Sequence, residues 1–240
     1  MSLVPYFSAS SKVWESRDWV YGLEEIGYTG WEIVADGKYR LDNPPENFAA
    51  VRENLESTGL LATVHAPYSD LNLASLNYPI WRESIRQTCC CIQHAAELTD
   101  RVTIHPGFVS PVGKLVPEKV WEMQKTALVE IGKYAEDHGV LACVENMISI
   151  KDFLCRYPEE ILGLTEGIAG GIGITLDLGH ANTNGLVDAF LGHVREVDHL
   201  HIHDNHGQSD EHLALGVGGN IPLGEGRAGH RPRLLRSGRH

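Results

Sequence analysis

Residues 173–180 read Gly-Ile-Thr-Leu-Asp-Leu-Gly-His, a short apolar run that ends at Asp177, with His180 close behind it. Short runs rich in Val, Ile and Leu are typical of strands that are buried on both faces of a parallel sheet. Similar runs recur along the chain. The sequence predicts seven strands, at Leu3–Ser8, Gly30–Val34, Leu60–His65, Arg101–His105, Val140–Glu145, Gly173–Asp177 and Asp198–His203.

Amphipathic stretches with the helical period fill the gaps between these runs. We predict helices at Trp14–Ile26, Pro45–Ser57, Ile80–Leu98, Pro117–His138, Pro158–Ile168 and Leu186–Val194. Strands that alternate with helices indicate βαβ units and an α/β fold. A complete (β/α)8 barrel has about 250 residues. The 240 residues with seven recognisable strands therefore predict an incomplete TIM barrel that lacks its eighth strand.

Charge is unevenly distributed along the chain. Lys and Arg number 20 against 32 Asp and Glu, which gives a net charge of −12. Residues 227–240 contain five Arg and no acidic residue, so residues 1–226 carry a net charge of −17. An acidic body disfavours broad binding to phosphate backbones. We therefore expect a small-molecule substrate in preference to nucleic acid.

The chain lacks the sequence features of a secreted or membrane protein. No stretch approaches about 18 uninterrupted apolar residues, and the first residues lack the basic and apolar arrangement of a secretory signal. Three of the five cysteines are consecutive, at 89–91. Adjacent residues on a helix point about 100° apart, so these cysteines do not converge on one metal. We expect a cytoplasmic protein with no membrane partner.

Metal-binding residue types recur where the predicted strands end. They are Glu32, His65, His105, Glu145, Asp177, His180, His201 and His203. A single His at a strand end is more often a packing residue than a ligand, but here successive strand ends follow the same rule. In a parallel barrel all strand carboxyl ends open onto one face. Imidazole and carboxylate both suit Zn²⁺ or Mn²⁺, so the sequence predicts a divalent metal site at this mouth.

An ordered set of motifs gives the chain a family resemblance over residues 1–222. The motifs are Val64-His65-Ala66-Pro67-Tyr68 with Asn72-Leu73-Ala74-Ser75, Ile104-His105-Pro106-Gly107, Val144-Glu145-Asn146-Met147, Leu176-Asp177-Leu178-Gly179-His180, His201-Ile202-His203-Asp204-Asn205 and Asp210-Glu211-His212. Together they resemble the xylose isomerase-like TIM-barrel superfamily. That superfamily includes sugar isomerases and epimerases and the endonuclease IV type of apurinic-site nuclease.

The resemblance implies two different ligand sets. The sugar isomerases and epimerases hold one divalent ion, and Glu145, Asp177 and His201 match three of its ligands. No residue matches their fourth ligand, a Glu on strand eight. The nuclease branch holds three zinc ions, and its additional ligands are matched by His65, His105, His180, Asp210 and His212. We therefore expect from one to three ions, zinc or manganese.

Other features weigh against the nuclease branch. The loop between His201 and Asp210 is shorter than that family leads us to expect. The motif on strand six reads Asp-Leu-Gly-His, where the nucleases have Asp-Thr-Cys-His. A nuclease must also bind a phosphate backbone, which the charge of −17 on residues 1–226 disfavours.

The first functional hypothesis is a metal-dependent isomerase or epimerase acting on a small sugar or hydroxy-carbonyl compound. Proton transfer would pass through a metal-stabilised enediolate. The catalytic residues would be Glu145, as base and ligand, and His180, as proton relay. We expect Glu32, Asn72 and His203 to contact the substrate.

Two alternatives stay open at this point. One is a zinc-dependent phosphodiesterase of the endonuclease IV type that acts at abasic sites in DNA, which is the only reading that makes nucleic acid a partner. The other is a catalytically impaired relative that keeps the metal site without turnover.

The C-terminal stretch differs in composition from the rest. We divide the chain into a TIM-barrel domain at 1–222 and a basic, atypical tail at 223–240. The composition of this tail fits a truncated or frame-altered C-terminus that replaces the eighth βα unit. An open barrel exposes two strand edges, so we also expect a homodimer.

Overall fold

One parallel sheet organises the computed structural model, which describes residues 6–9 and 18–219. The strands are β1 Tyr6–Ala9, β2 Gly30–Val34, β3 Leu61–His65, β4 Arg101–Ile104, β5 Leu141–Glu145, β6 Ile172–Asp177 and β7 His199–His201. The α-helices are α1 Pro45–Glu56, α2 Tyr78–Ala95, α3 Pro117–Asp137, α4 Pro158–Thr165, α5 Leu178–Thr183 and α6 Val187–Leu191. Short 3-10 helices lie at Asp18–Gly22, Gly37–Tyr39, Gly113–Leu115 and Val194–Glu196.

The strands follow one another in the sheet in chain order. Each pairs in parallel with the next, and within the described residues β1 and β7 are the two edges. The sheet still curls around an interior, because Glu32 Oε2 on β2 lies 2.8 Å from His199 Nε2 on β7. Within residues 6–9 and 18–219 this is the incomplete TIM barrel that the sequence predicts.

The helices cover the outer face of the curled sheet. Each of α1 to α4 has a proline in its first turn, where the missing N–H costs no intrahelical hydrogen bond. Trp81 on α2 donates its indole N–H to Met123 O on α3 at 3.1 Å. Ile85, Ile92 and Leu128 from the same two helices are fully buried. This packing buries the outer face of the sheet.

The first predicted helix is wrong within the described residues. The prediction covered Trp14–Ile26, but Asp18–Gly22 forms a 3-10 helix followed by turns, while residues 10–17 lie outside the described part. The apolar spacing that indicated a helix has another cause. Trp19 packs edge to face on Trp31 of β2, with ring centroids 6.0 Å apart.

Two further differences lie next to the mouth of the barrel. The sequence does not predict α5, because this helix begins directly after Asp177 with no loop between. The last strand is shorter than predicted and ends at His201. His203 therefore lies on the loop that follows β7, and its backbone is free of the sheet.

Two remaining expectations have different outcomes. Among the described residues, none of the helices is long and apolar enough to cross a membrane. The tail at 223–240 and its boundary lie outside those residues, so the division of the chain stays a prediction.

Candidate metal centre

Imidazoles and carboxylates from five strands line the mouth of the barrel. Glu145, Asp177 and His201 are the last residues of β5, β6 and β7, and the register pairs Asp177 with His201. His65 ends β3, and His105 directly follows β4. The parallel register thus brings together five of the ligands that the sequence predicts.

Glu145 lies at the centre of this mouth, and its two oxygens face different partners. Oε2 lies 3.0 Å from His105 Nε2 and 3.4 Å from His65 Nε2. Oε1 lies 2.5 Å from His201 Nδ1. One carboxylate, only 2% exposed, therefore joins two groups of donor atoms.

Protons balance the buried carboxylates of the metal-free chain. Burial by itself would raise the pKa of Glu145, but the charge of His201 and hydrogen bonds from His105, His201 and His65 hold that pKa well below its usual range. Burial would lower the pKa of His201, but Glu32 and Glu145 raise it well above its ordinary value. The imidazole protons supply the positive charge that these carboxylates need. A divalent cation supplies the same charge.

Asp177 ends β6 and also begins α5. Its Oδ1 accepts a hydrogen bond from His180 N at 2.7 Å and so caps the helix. Its Oδ2 lies 3.7 Å from His201 Nδ1. Asn146 fixes the backbone here, because its Oδ1 accepts from Asp177 N at 2.7 Å and its Nδ2 donates to Asp177 O at 3.0 Å.

His180 is held in one orientation by a backbone carbonyl. Its Nδ1–H donates to Asn146 O at 2.7 Å, which leaves Nε2 facing Asp210 Oδ2 at 3.5 Å. Burial would lower the pKa of His180, but the charge of Asp177 and the hydrogen bond with Asp210 raise it to about 10. A His bound through one nitrogen to a carbonyl presents the other nitrogen to a metal.

Glu32 holds His201 from the side opposite Glu145. Glu32 Oε1 lies 2.8 Å from His201 Nε2, and Oε2 lies 2.8 Å from His199 Nε2. Thr63 donates its hydroxyl to Oε2 at 3.0 Å. A carboxylate at the far nitrogen of a His fixes the orientation of the ring. This arrangement directs His201 Nδ1 toward Glu145.

The two histidines near β3 and β4 are also oriented by neighbours. His65 Nδ1–H donates to Ala66 O at 2.9 Å, so its Nε2 faces Glu145. The His105 ring stacks on Tyr68 with centroids 4.6 Å apart. Burial lowers the pKa of His105, so this imidazole is neutral at neutral pH and keeps a lone pair.

A further group of donors lies on the loop after β7. Asp210 Oδ1 lies 3.2 Å from His203 Nε2, and Asp210 Oδ2 lies 3.1 Å from His212 Nε2. The side chain of Asp210 is 26% exposed and that of His212 is 65% exposed. This group therefore faces solvent, unlike the group around Glu145.

The donor atoms fit zinc or a similar divalent ion. Triplets with donor atoms within 4.8 Å of one another are His65–His105–Glu145, Glu145–Asp177–His201, Asp177–His180–His203, His203–Asp210–His212 and Glu32–His199–His201. Two ligands on a tetrahedral zinc, each about 2.0 to 2.1 Å from it, lie about 3.3 Å apart. The spacings of 3.0 and 3.4 Å from His105 and His65 to Glu145 match that value.

Two buried atoms of the loop after β7 have no hydrogen bond among the described residues. They are His203 Nε2 and Asp210 Oδ1, which face each other at 3.2 Å. Buried polar atoms normally have a partner. A shared cation satisfies both of them, which is the second reason that the donor set fits a metal.

The three predicted substrate contacts lie in different surroundings. Both oxygens of Glu32 face histidines, and His203 is within the loop group. The Asn72 amide joins two loops: Nδ2 donates to Phe108 O at 3.0 Å, and Oδ1 accepts from Ala74 N at 2.9 Å. Substrate contact by these residues stays a prediction, and their present partners favour positioning roles.

Sequence reasoning misses three residues that position the site. Asn146 directly follows Glu145, and a polar residue next to a strand-end ligand was the available signal. His199 shares the alternation of His201 along β7. Tyr68 lies in the same short motif as His65, but sequence alone does not reveal that its ring stacks on His105.

Comparison with known proteins agrees with this fold. The model of the xylose isomerase-like TIM barrel family matches residues 20–231. The chain belongs to this family. Uncharacterized protein MJ1311 of Methanocaldococcus jannaschii is 33% identical to it over 221 residues, which cover 88% of this chain and 75% of that protein.

Solved structures similar to this chain include an epimerase-like protein and a nuclease. A D-tagatose 3-epimerase-like protein is 31% identical, with a TM-score of 0.83, covering 91% of this chain and 83% of that one. Endonuclease IV from Thermus thermophilus is 24% identical, with a TM-score of 0.59, covering 89% and 81%. The similarity to endonuclease IV shows only that the two proteins share a fold.

Proposed function

We propose that this protein is a divalent-metal-dependent isomerase or epimerase of a small sugar or hydroxy-carbonyl compound. The observation that carries the proposal is the triplet of Glu145, Asp177 and His201, which three consecutive strands bring within 4.8 Å at the mouth of the barrel. The likeness to the D-tagatose 3-epimerase-like protein supports it. The net charge of −12 supports a small substrate over nucleic acid.

The residues around the triplet have distinct tasks. A bound divalent ion would act as a Lewis acid toward neighbouring substrate oxygens and stabilise enediolate charge. Glu145 and Asp177 stay ionised, because each has its pKa lowered by nearby histidines in spite of burial. Glu32 keeps the His201 ring in place from behind.

Glu145 acts as the base in this proposal, and His105 beside it passes the proton on. Glu145 accepts the proton at a carboxylate oxygen, and His105 Nε2 lies 3.0 Å from Oε2, close enough to pass it on. His180 is the relay that the sequence predicts, but its side chain is 8% exposed against 19% for His105. His105 is therefore the better route for exchange with solvent.

Solvent isotope exchange tests this function directly. The metal-loaded protein is incubated in D₂O with a panel of ketoses and aldoses, and deuterium at carbon is measured by NMR. We expect incorporation next to the carbonyl in at least one substrate, lost in Asp177→Asn. Asp188→Asn, on an exposed helix position, is the matched control and should retain it. No incorporation with any substrate, at full metal loading, would contradict the proposal.

A second function is favoured by the two-sided contacts of Glu145. Its oxygens face separate donor groups, the arrangement expected of a carboxylate that bridges two ions in a zinc-dependent phosphodiesterase. Two or three zinc ions per chain together with nicking of a duplex that contains an abasic site would establish this alternative. One ion per chain and no nicking would exclude it.

A further inference from the structure

His105 differs from its neighbours at the mouth in how its ring is held. His65 and His180 each place Nδ1 against a backbone carbonyl, at 2.9 and 2.7 Å. Among the described residues, no hydrogen bond holds Nδ1 of His105. Its Nε2 lies 3.0 Å from Glu145 Oε2, and its ring stacks on Tyr68. The direction of the His105 ring therefore depends strongly on the backbone that follows β4.

Gly107, two residues after His105, has both of its backbone polar groups bound. Gly107 N donates to Oε1 of Gln124, which lies on α3, at 2.7 Å. Gly107 O accepts from Leu154 N, on the loop after β5, at 3.2 Å. Two separate elements thus fix this part of the loop.

Asn72, on the loop after β3, holds the next residue along the chain. Phe108 N donates to Asn72 Oδ1 at 3.1 Å, and Asn72 Nδ2 donates to Phe108 O at 3.0 Å. A Cβ at Gly107 would lie 2.3 Å from Asn72 Oδ1 and 2.4 Å from Ala74 N, so the two loops are in direct contact. The backbone after His105 is therefore fixed by α3 and by the loops after β3 and β5.

Gln124 is a polar side chain in an apolar part of α3. Its exposure is 0%, and Val120, Ala127 and Leu128 are buried beside it on the same helix. Its Nε2 is also buried and has no hydrogen-bond partner in the described part of the chain. A buried amide costs stability unless it is hydrogen-bonded. The bond to Gly107 N is therefore the interaction that explains a glutamine at this position.

We propose that Gln124 is a positioning residue for His105. The inference rests on the proposed function, in which Glu145 takes a proton from the substrate and His105 passes it on. By fixing the Gly107 backbone, Gln124 keeps His105 Nε2 within reach of Glu145 Oε2. Gln124 itself touches no reacting atom.

The position of His105 decides where the abstracted proton goes. The proton moves from carbon to Glu145 and then to His105 Nε2, the ring releases its other proton from Nδ1 to solvent, and a solvent deuteron returns by the same route. When His105 is displaced, Glu145 keeps the proton and returns it to the product. The amount of deuterium per molecule of product should then fall. A loss of folded protein or of metal lowers exchange and conversion together and leaves that ratio unchanged.

Turnover in D₂O with matched variants of Gln124 tests the proposal. Product and deuterium per product are measured by NMR with a substrate that the metal-loaded wild type converts. Gln124→Met keeps the shape of the side chain and removes the acceptor of Gly107 N. We expect deuterium per product to fall at least about tenfold, because a misplacement of about 1 Å costs about 100-fold in a reaction step.

Two further variants show that the lost hydrogen bond is the cause. Gln124→Glu keeps an acceptor oxygen for Gly107 N and should retain the ratio of the wild type. Gln93→Met makes the same substitution at an exposed position of α2, where Gln93 accepts only from the Tyr134 hydroxyl among the described residues. It should also match the wild type.

A second readout needs neither metal nor substrate. The ring nitrogens of His105 give NMR signals that depend on the distance to Glu145, and they are assigned by their loss in His105→Asn. We expect these signals to shift in Gln124→Met and to stay unchanged in Gln93→Met. Gly107→Ala displaces the same backbone from the side of Asn72. It should shift the same signals, and it carries the test if Gln124→Met does not fold.

The outcomes separate this proposal from the proposed function. Unchanged His105 signals in Gln124→Met and Gly107→Ala, or an unchanged amount of deuterium per product in Gln124→Met, would overturn the role of Gln124. Shifted signals together with a lower ratio would support it. A wild type that converts none of the substrates would overturn the proposed function, and the His105 signals would still decide whether Gln124 positions that ring.

Discussion

The donors on the strands and the donors on the loop after β7 are built from similar residues but held differently. Glu145 is 2% exposed and contacts histidines from three separate strands. Asp210 is 26% exposed, and two of its three imidazole partners come from its own loop. The sheet preforms the first group, whereas the second exists only while the loop stays closed. We therefore expect the two groups to respond differently to substitution and pH.

Replacing the central carboxylate should have the largest effect. Glu145→Gln leaves His65 and His201 without their shared counter-charge. We expect loss of metal from the strand group, loss of activity, and a free energy of unfolding lower by about 3 to 5 kcal/mol in the metal-free protein. Urea denaturation and metal analysis measure these effects.

The control for this change is a surface glutamate. Glu130→Gln breaks an exposed ion pair with Arg82 and should cost about 0 to 1 kcal/mol with no change in metal content. Equal losses in the two variants would mean that Glu145 is not the centre of the site.

Removing the residue that fixes Asp177 should have the next largest effect. Asn146→Ala leaves the backbone N–H and C=O of Asp177 without side-chain partners, at a cost of about 1 to 3 kcal/mol. We expect zinc affinity of the strand group to fall about 10- to 100-fold, measured by competition with a chelator. Asn47→Ala, which removes hydrogen bonds to Lys38 and Arg40, should leave zinc affinity unchanged.

Glu145 and Asn146 differ in how far the sequence predicts their roles in the site. Glu145 and Asp177 are predictable because parallel strands must end at one face, whatever the loops do. The role of Asn146 is not predictable, because it depends on the direction in which its side-chain amide points. The prediction of the first helix is wrong because the apolar spacing that fits a helix comes from the packing of Trp19 on Trp31 of β2. His203 lies close to Asp210 because the backbone of Asp204 pairs with that of Leu213. No local sequence pattern predicts that pairing.

Metal and protons should compete for the same atoms. The pKa values of His180, His201, His65 and His203 are raised in the metal-free chain, that of His180 to about 10. Zinc must displace these protons, so affinity should rise with pH, by about tenfold per unit for each proton released. Calorimetry in two buffers of different ionisation enthalpy counts the protons.

Stability should depend on pH in opposite directions with and without metal. Without metal, raised imidazole pKa values contribute stability below about pH 6.5, the ordinary value for His, which is lost as pH rises toward the folded pKa. With zinc bound, the coordinating imidazoles stay unprotonated in the folded chain, whereas those of the unfolded chain bind protons below about pH 6.5. The stability of the zinc-bound protein should therefore rise as pH increases to about 6.5. Melting temperatures measured with zinc and with chelator, from about pH 5 to 9, check this, and parallel curves would contradict it.

The smallest effect is expected at the base of the loop. Asp204 Oδ2 accepts hydrogen bonds from Gly216, Gly218 and Gly219 N at 2.9 to 3.1 Å. Asp204→Asn should cost about 1 kcal/mol and loosen the loop. Zinc should be lost more readily from the loop group while the strand group keeps its ion. Equal weakening of both groups would show that they are not independent.

The junction between β6 and α5 restricts how this sequence can change in evolution. Asp177 ends a strand and caps the helix that carries His180, so the two side chains are separated by a fixed part of a helical turn. One residue inserted between them would rotate His180 by about 100° and turn its ring away from Asn146. The segment from His206 to Gln208 contributes no residue to the donor groups described above. Insertions and deletions should therefore accumulate there among relatives, while the Asp-Leu-Gly-His spacing keeps its length.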